Sequence, residues 1–175
     1  PTRNVVIRNC EVKNGHQLLA IGSELSGGIE NVYMTNCNVA PNAKMFHLVF
    51  IKTNERRGGF VRNIIVENVN AGNMSEGILG IETDVLYQWR TLMPTYDRVL
   101  TPISKVRLQN INAGKVKFVS RILGEKELAV RDVRLKKVRA AEVTDRKHIH
   151  QNVEKFFPKE KISSENIEKP TEPTY

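Results

Sequence analysis

Aromatic residues, cysteines and long apolar stretches are all scarce in this sequence. Only 6% of its 175 residues are aromatic, and two are cysteine. Two cysteines are too few for a disulfide framework, and Cys10 and Cys37 lack the CxxC spacing of a zinc site. The longest apolar stretches, such as residues 18–21 and 48–51, are far shorter than the ~20 residues of a membrane-spanning helix. The sequence therefore predicts neither a disulfide-rich domain nor a transmembrane protein.

The composition is that of a folded, basic domain. Hydrophobic residues make up 40% of the chain and charged residues 26%, as in ordinary globular proteins. The 27 Lys and Arg residues outnumber the 19 Asp and Glu residues, which gives a formal net charge of +8. The sequence starts at Pro1 and enters an apolar alternation at once. We therefore expect it to be a piece of a longer protein.

A short pattern recurs five times along the chain. Each copy has a polar residue, an aliphatic one, any residue, a second aliphatic one, any residue, usually Asn, and a small or β-branched apolar residue. The copies begin at residues 4, 31, 63, 105 and 132, at spacings of 27, 32, 42 and 27 residues. Such spacings are typical of solenoids. The period-two alternation, rich in Val and Ile, predicts that each copy is a strand with one buried face.

Stacking these strands predicts two columns of equivalent residues. An asparagine near the end of a strand suits a turn, because its amide bonds the nearby backbone and tolerates left-handed φ. We expect the asparagines to hydrogen-bond from coil to coil at the ~4.8 Å strand spacing. This column contains Asn9, Asn36, Asn68 and Asn110. The residues after them should form a buried column of Cys10, Cys37, Val69, Ile111 and Val138. Both cysteines are thus predicted to be buried, unbonded and non-catalytic.

No long window shows helical periodicity, so the predicted fold is all-β, a parallel β-helix. The 42-residue spacing predicts an added loop over residues 84–100, with Trp89 inside it as either a packing anchor or a sugar-stacking platform. Residues 1–144 are predicted to form the coils. Residues 145–175 are predicted to be a polar tail or an end cap, and Phe156 and Phe157 favour the cap.

Two glycine-punctuated turns at equivalent places in successive coils carry the candidate functional residues. One runs over residues 14–28 and the other over residues 51–59. If the turns lie side by side, His16 and Lys52 should be near each other, with Arg57 at the next corner and Glu24 close by. By themselves, these residues would be a turn histidine and surface charges.

The same segments resemble a known enzyme family. Gly-His at 15–16, Ile-Gly-Ser-Glu at 21–24, Ser-Gly-Gly at 26–28, Ile-Lys-Thr at 51–53 and Arg-Gly-Gly at 57–59 are similar to motifs of polygalacturonases. These pectin-cleaving glycoside hydrolases are right-handed parallel β-helices. The match covers roughly residues 1–140, the C-terminal half of the family. Residues 84–90 and 100–103 are most similar to the bacterial exo-acting members.

The resemblance implies a role for each matched residue. His16 matches the active-site histidine of a Gly-His-Gly motif, in which Gln17 replaces the second glycine. Lys52 matches the carboxylate-binding lysine of an Arg-Ile-Lys motif, in which Phe50 replaces the arginine. Tyr87 matches a downstream active-site tyrosine. We therefore predict His16 and Tyr87 as catalytic-site residues. The predicted substrate-binding residues are Ser23, Glu24, Lys52 and Arg57.

The family's aspartate motifs, Asn-Thr-Asp and Asp-Asp, precede the histidine and are missing from this chain. The resemblance implies inverting hydrolysis, which needs a carboxylic acid and a carboxylate ~6.5–9.5 Å apart. Histidine and lysine do not supply that pair, so we expect this piece alone to be inactive. The resemblance also implies no metal or other cofactor, and an extracellular or periplasmic location.

Other clusters favour structural explanations. Glu82 and Asp84 are two residues apart in a strand-like stretch, which favours a solvated outer face over an acid pair. His148 and His150 could hold a metal, but no third ligand lies at a suitable spacing.

The basic charge leaves three kinds of role open. An anionic polysaccharide fits the predicted groove and Lys52. Nucleic acid would also attract a +8 chain, although aromatic residues are few and no nucleic-acid motif is present. A non-catalytic polysaccharide-binding or structural β-helix is the third. We predict an anionic polysaccharide such as polygalacturonate as the partner of a monomer, with neither nucleic acid nor a membrane.

Overall fold

The computed structural model of the chain describes residues 1–85 and 97–157, which form strands and contain no helix. Within these residues no helix could cross a membrane. The strands are β1 (Thr2–Arg8), β2 (Glu11–Val12), β3 (Gln17–Ile21), β4 (Ile29–Val39), β5 (Met45–Lys52), β6 (Val61–Asn70), β7 (Met74–Glu82), β8 (Ile103–Val116), β9 (Phe118–Leu123), β10 (Val130–Val143), β11 (His148–Gln151) and β12 (Val153–Phe157).

Successive strands alternate between two sheets. Sheet A has the order β1-β4-β6-β8-β10-β12, with β2 also paired to β4, and sheet B has the order β11-β9-β7-β5-β3. Every pairing is parallel, as in β4 with β6 and β5 with β7. A chain that returns once per coil to the same two parallel sheets is a β-solenoid. The predicted parallel β-helix is confirmed.

Aliphatic side chains from both sheets meet inside the coil. In sheet B, Ile21, Ile51, Ile81 and Ile122 follow one another in register, and all four are buried. In sheet A, the predicted interior column is confirmed at Cys37, Val69 and Ile111, which are fully buried or nearly so. It is wrong at Cys10, which is exposed in the first coil, and Val138 is only partly buried. Both cysteines are free thiols. The residues of the interior column are therefore buried in the middle coils and more exposed to solvent toward the two ends.

Left-handed residues bend the strands of sheet A at two places per coil. The predicted column Asn9, Asn36, Asn68 and Asn110 has φ between 53° and 57°. Asn110 Nδ2 donates to Asn68 Oδ1 at 2.8 Å, whereas Asn68 Nδ2 donates to Thr35 Oγ1 at 3.4 Å.

A second left-handed column, five residues earlier, was not predicted. It contains Asn4, Asn31, Asn63, Lys105, Asp132 and Lys155. Its asparagines also bond from coil to coil, Asn31 to Asn4 at 3.0 Å and Asn63 to Asn31 at 2.9 Å. The two columns together fix where each strand of sheet A changes direction.

The predicted loop and tail have different outcomes. No strand lies in the described residues between Glu82 and Ile103, as expected for an added loop, and Trp89 and Tyr87 fall outside the described residues. Strands β11 and β12 pair with β9 and β10, so the coils continue past residue 144 to Phe157. Phe156 is partly buried against this last coil. The tail or end cap predicted from residue 145 onward stays a prediction for residues 158–175, which lie outside the described residues.

Candidate functional site

His16 lies at the start of a sheet B strand. It directly precedes β3, and its carbonyl oxygen accepts hydrogen bonds from the backbone N–H groups of Phe46 at 2.8 Å and His47 at 3.3 Å. The exposed imidazole stacks on the Phe46 ring, with centroids 4.9 Å apart and planes 16° apart. Phe46 is itself 46% exposed. The pair presents two flat rings to solvent at the edge where β3 and β5 begin.

Ser23 and Glu24 follow the opposite end of β3. The turn begins at Gly22, whose φ is +88° and whose hypothetical Cβ would lie 1.9 Å from the carbonyl oxygen of Lys52. Only glycine allows this close approach of the two coils. Ser23 is buried and its hydroxyl donates to Glu24 Oε1 at 3.1 Å.

Lys52 and Arg57 lie at the same edge as Ser23 and Glu24. Lys52 is the last residue of β5 and is in register with Glu82 of β7. Arg57 Nη2 donates to Glu24 Oε1 at 3.2 Å, which joins the turn after β5 to the turn after β3. The structure thus brings four predicted residues together where the strands of sheet B end, namely Ser23, Glu24, Lys52 and Arg57. This end of the strands is called the Lys52 edge below.

The predicted closeness of His16 and Lys52 is wrong. His16 lies beside Phe46, and Lys52 lies six residues further along the same strand, about 20 Å away at the rise of a β-strand. The two glycine turns look alike in sequence, but His16 precedes its strand whereas Lys52 ends one. The two residues therefore border the outer face of sheet B from opposite ends.

The outer face of sheet B is its solvent side, between His16 and Lys52. Phe50, Gly80 and Arg121 are in register on adjacent strands there. Phe50 and Arg121 are partly exposed, whereas their neighbours Ile51 and Ser120 are fully buried in the interior. A Cβ on Gly80 would lie 2.8 to 2.9 Å from the rings of Phe50 and His47. Gly80 thus makes room for two rings that lie over β7.

His47 is a feature of this face that the sequence analysis missed. Its ring stacks on Phe50 at 4.5 Å with an interplanar angle of 4°, and Phe118 lies at 5.8 Å. His47 is 7% exposed, and its Nδ1 atom is buried without a hydrogen-bond partner. Burial lowers the pKa of His47 to about 4. The charge of Glu76 opposes this shift, and the charges of Arg121 and Lys117 add to it. The glycines at 77 and 80, one coil later, were the only sequence signal for this buried ring.

The acidic residues at the Lys52 edge are engaged with arginines. Glu82 forms an ion pair with Arg121 Nη1, and Glu55 pairs with Arg98 at 2.6 Å. Glu82 ends β7, whereas Asp84 lies beyond it and is exposed. The possible Glu82–Asp84 acid pair is therefore replaced by a cross-strand ion pair with Arg121.

The chain is similar to known proteins in both sequence and fold. Residues 1–166 match the family model of glycosyl hydrolases family 28. The chain belongs to this family. Among solved structures, it is similar to the crystal structure of a hyperthermoactive exopolygalacturonase from Thermotoga maritima, with a TM-score of 0.65 and 28% sequence identity. No curated protein matched.

The similarity to the exopolygalacturonase is partial in length. It covers 79% of this chain and 30% of the exopolygalacturonase. The resemblance found in the sequence motifs is thereby confirmed at the level of the family. The four predicted substrate-binding residues lie together at the Lys52 edge, and His16 lies across the outer face of sheet B from them.

Two further histidines of this family 28 chain lie in its last coil. Ser120 Oγ is 2.7 Å from His148 Nδ1 and 2.8 Å from His150 Nε2, so one buried hydroxyl joins both rings. Burial lowers the pKa of both, that of His148 to about 4. Within residues 1–85 and 97–157, no group of three or more His, Cys, Asp or Glu could hold a metal. The Ser120 hydroxyl can donate to one ring and accept from the other. The hydrogen-bonding groups of this cluster are thus paired at the end of the aliphatic interior.

Proposed function

We propose that the protein containing this chain hydrolyses α-1,4-galacturonosidic bonds of polygalacturonate and acts from a chain end. The observation that carries the proposal is the family 28 match over residues 1–166, together with the similarity to an exopolygalacturonase. The basic side chains on and beside the outer face of sheet B support an acidic polymer as the substrate. Lys52, Arg57 and Arg121 can each interact with a sugar carboxylate there.

The chain's own residues bind and orient the sugar in this proposal. A lysine supplies a compact charge, and a guanidinium can donate two parallel hydrogen bonds to one carboxylate. The exposed imidazole of His16 can donate to or accept from a hydroxyl group, and the Phe46 ring beside it can stack on a sugar.

Inverting hydrolysis requires an acid and a base on opposite sides of the scissile bond, ~6.5–9.5 Å apart. Glu24, Glu55 and Glu82 are instead held by arginines. We propose that the acid and base come from the part of the protein that precedes this chain, and that this chain alone binds substrate without cleaving it. We further propose that the protein is a monomer, needs no cofactor, and works outside the cell or in the periplasm on this polysaccharide rather than on nucleic acid or membranes.

The test is a comparison of reducing-sugar release from polygalacturonate by the 175-residue chain and by the whole protein. We expect release by the whole protein, one sugar unit at a time, and none by the chain. We also expect the chain to bind trigalacturonate in calorimetry and the Lys52→Gln variant to bind it more weakly. Cleavage by the chain at the rate of the whole protein would refute the assignment of the acid and base. Binding of duplex DNA in preference to trigalacturonate would refute the substrate class.

A further inference from the structure

Arg121 is a second cation, besides Lys52, on the outer face of sheet B. It lies two strands away from Phe50. Arg121 belongs to β9 and is in register with Gly80 of β7, which is in register with Phe50 of β5. Its neighbours Ser120 and Ile122 are fully buried, so the alternation of the strand directs Arg121 outward. The Arg121 side chain is 36% exposed. A dissolved ligand can therefore reach it.

Arg121 forms an ion pair with a carboxylate of the same chain. Its Nη1 atom donates to Glu82 Oε1, and the Glu82 side chain is 25% exposed. Glu82 is also in register with Lys52, one strand spacing away, about 4.8 Å. The outer face of sheet B therefore carries Lys52, Glu82 and Arg121 on three successive strands, so that a negative charge lies between two positive ones.

The strand between Phe50 and Arg121 carries no side chain at the position in register with both. Gly80 is buried there, because the rings of Phe50 and His47 lie over it. A sugar ring that stacks on the partly exposed Phe50 ring would extend across β7 toward the Arg121 guanidinium. A guanidinium has five N–H donors, so Arg121 can bind a second carboxylate while Nη1 still contacts Glu82.

We infer that Arg121 is a specificity-determining residue that binds the carboxylate of a galacturonate unit, and that Glu82 is a built-in competitor for it. The inference rests on the proposed function. Glu82 keeps the guanidinium oriented when no ligand is bound, and its negative charge opposes an incoming carboxylate. The alternative is a purely structural ion pair across two strands.

The two interpretations predict different changes in ligand affinity when Arg121 or Glu82 loses its charge. If Arg121 binds the ligand, removal of its charge weakens binding, whereas removal of the Glu82 charge strengthens it because the competitor and its repulsion are gone. If the pair is only structural, Arg121→Gln and Glu82→Gln lower thermal stability to similar extents and leave affinity unchanged.

The experiment is calorimetric titration of the 175-residue chain with trigalacturonate at low and high salt. We expect Arg121→Gln to raise the Kd about tenfold at low salt and Glu82→Gln to lower it about threefold, since hydrogen bonds to charged groups are strong. Arg121→Lys keeps the charge but loses the paired donors, so it should fall between wild type and Arg121→Gln. The difference between variants should shrink at high salt.

The matched control is Arg131→Gln. Arg131 pairs with Glu154 at 3.0 Å on sheet A, away from the outer face of sheet B, so its loss should leave the Kd unchanged. A neutral galactose oligomer should bind wild type and Arg121→Gln equally weakly.

Separate results contradict the two proposals. If wild type and Lys52→Gln differ in trigalacturonate affinity but wild type and Arg121→Gln do not, the role of Arg121 is wrong and the proposed function stands. If wild type binds no trigalacturonate, both are wrong. Should Arg121→Gln fail to fold, Glu82→Gln decides alone, because unchanged or weaker binding by that variant contradicts the inference.

Discussion

The outer sides of the two sheets are built on different principles. On sheet A, equivalent positions repeat or alternate in charge: asparagine bonds to asparagine, and Glu30 lies between Arg3 and Arg62. On sheet B, one row across five strands holds five different residues, Ala20, Phe50, Gly80, Arg121 and Ile149. Rows that repeat bond to the same kind of residue in the next coil. In the row that does not repeat, the contacts differ from strand to strand, since Phe50 stacks on His47 and Arg121 pairs with Glu82.

The largest expected effect concerns the close contact at the Lys52 edge of sheet B. Gly22→Ala places a Cβ against the Lys52 carbonyl at a backbone φ of +88°, so we expect a loss of about 3 kcal/mol or more of unfolding free energy. Urea denaturation measures it. Gly15→Ala is the control, since a Cβ there meets nothing nearer than 3.8 Å. Equal effects of the two substitutions would show that the contact is not needed.

The buried histidine of sheet B should make stability depend on pH. Above pH 4, His47 is neutral in the folded chain because its pKa is lowered to about 4, whereas the pKa of an unfolded histidine is near 6.5. The unfolded chain therefore binds more protons below pH 6.5, and stability falls as the pH drops from 6.5 to 4. The loss from His47 should be on the order of 3 kcal/mol.

His47→Phe tests this, because a phenyl ring fits between Phe50 and Phe118 and does not titrate. The variant should lose less stability than wild type between pH 6.5 and 4, while the contribution of His148 remains. Identical pH profiles for wild type and His47→Phe would contradict the assignment to His47.

A smaller effect is expected in the asparagine column of sheet A. Asn68→Ala removes the acceptor of the Asn110 amide and puts alanine at a φ of 57°. We expect a loss of about 1–2 kcal/mol, since left-handed φ is unfavourable for alanine. Asn68→Gly relieves the backbone penalty and should cost less. Thermal denaturation of both variants checks the order, and a reversed order would show that the left-handed backbone angle costs alanine nothing at this position.

The smallest effect is expected at an exposed ion pair of sheet A. Arg131 and Glu154 are both more than half exposed, 58% and 55%, so Arg131→Gln should change the unfolding free energy by less than about 0.5 kcal/mol. A much larger loss in urea denaturation would mean that repeated surface rows contribute more than their exposure indicates.

The repeating parts of the molecule could be predicted from sequence, and the unrepeated parts could not. The Asn9 column was visible because one residue type returns at one place in the pattern. The family motifs were recognised separately, in the two glycine-punctuated turns. The Asn4 column was missed because Lys105 and Asp132 interrupt the run of asparagines. The error over His16 and Lys52 arose because similar turns can lie at either end of a strand.

His47 and Arg121 are instructive for a different reason. Neither belongs to a motif, and each is recognisable only through residues about one coil away, the glycines for His47 and Glu82 for Arg121. Parallel register determines such neighbours, and the uneven coil lengths hide that register from a single sequence.

The constant spacing within the two left-handed columns has a practical consequence for changing this protein. The columns stay five residues apart in the five coils described with both, although the spacings from coil to coil range from 23 residues, between Asp132 and Lys155, to 42, between Asn63 and Lys105. Length can therefore be added or removed after β7, between Val85 and Asp97, which leaves the hydrogen bonds of Val85 and Val99 and the ion pairs of Arg98 in place. Grafted loops of different size at that position would alter what borders the Lys52 edge and leave the scaffold beneath it as it is.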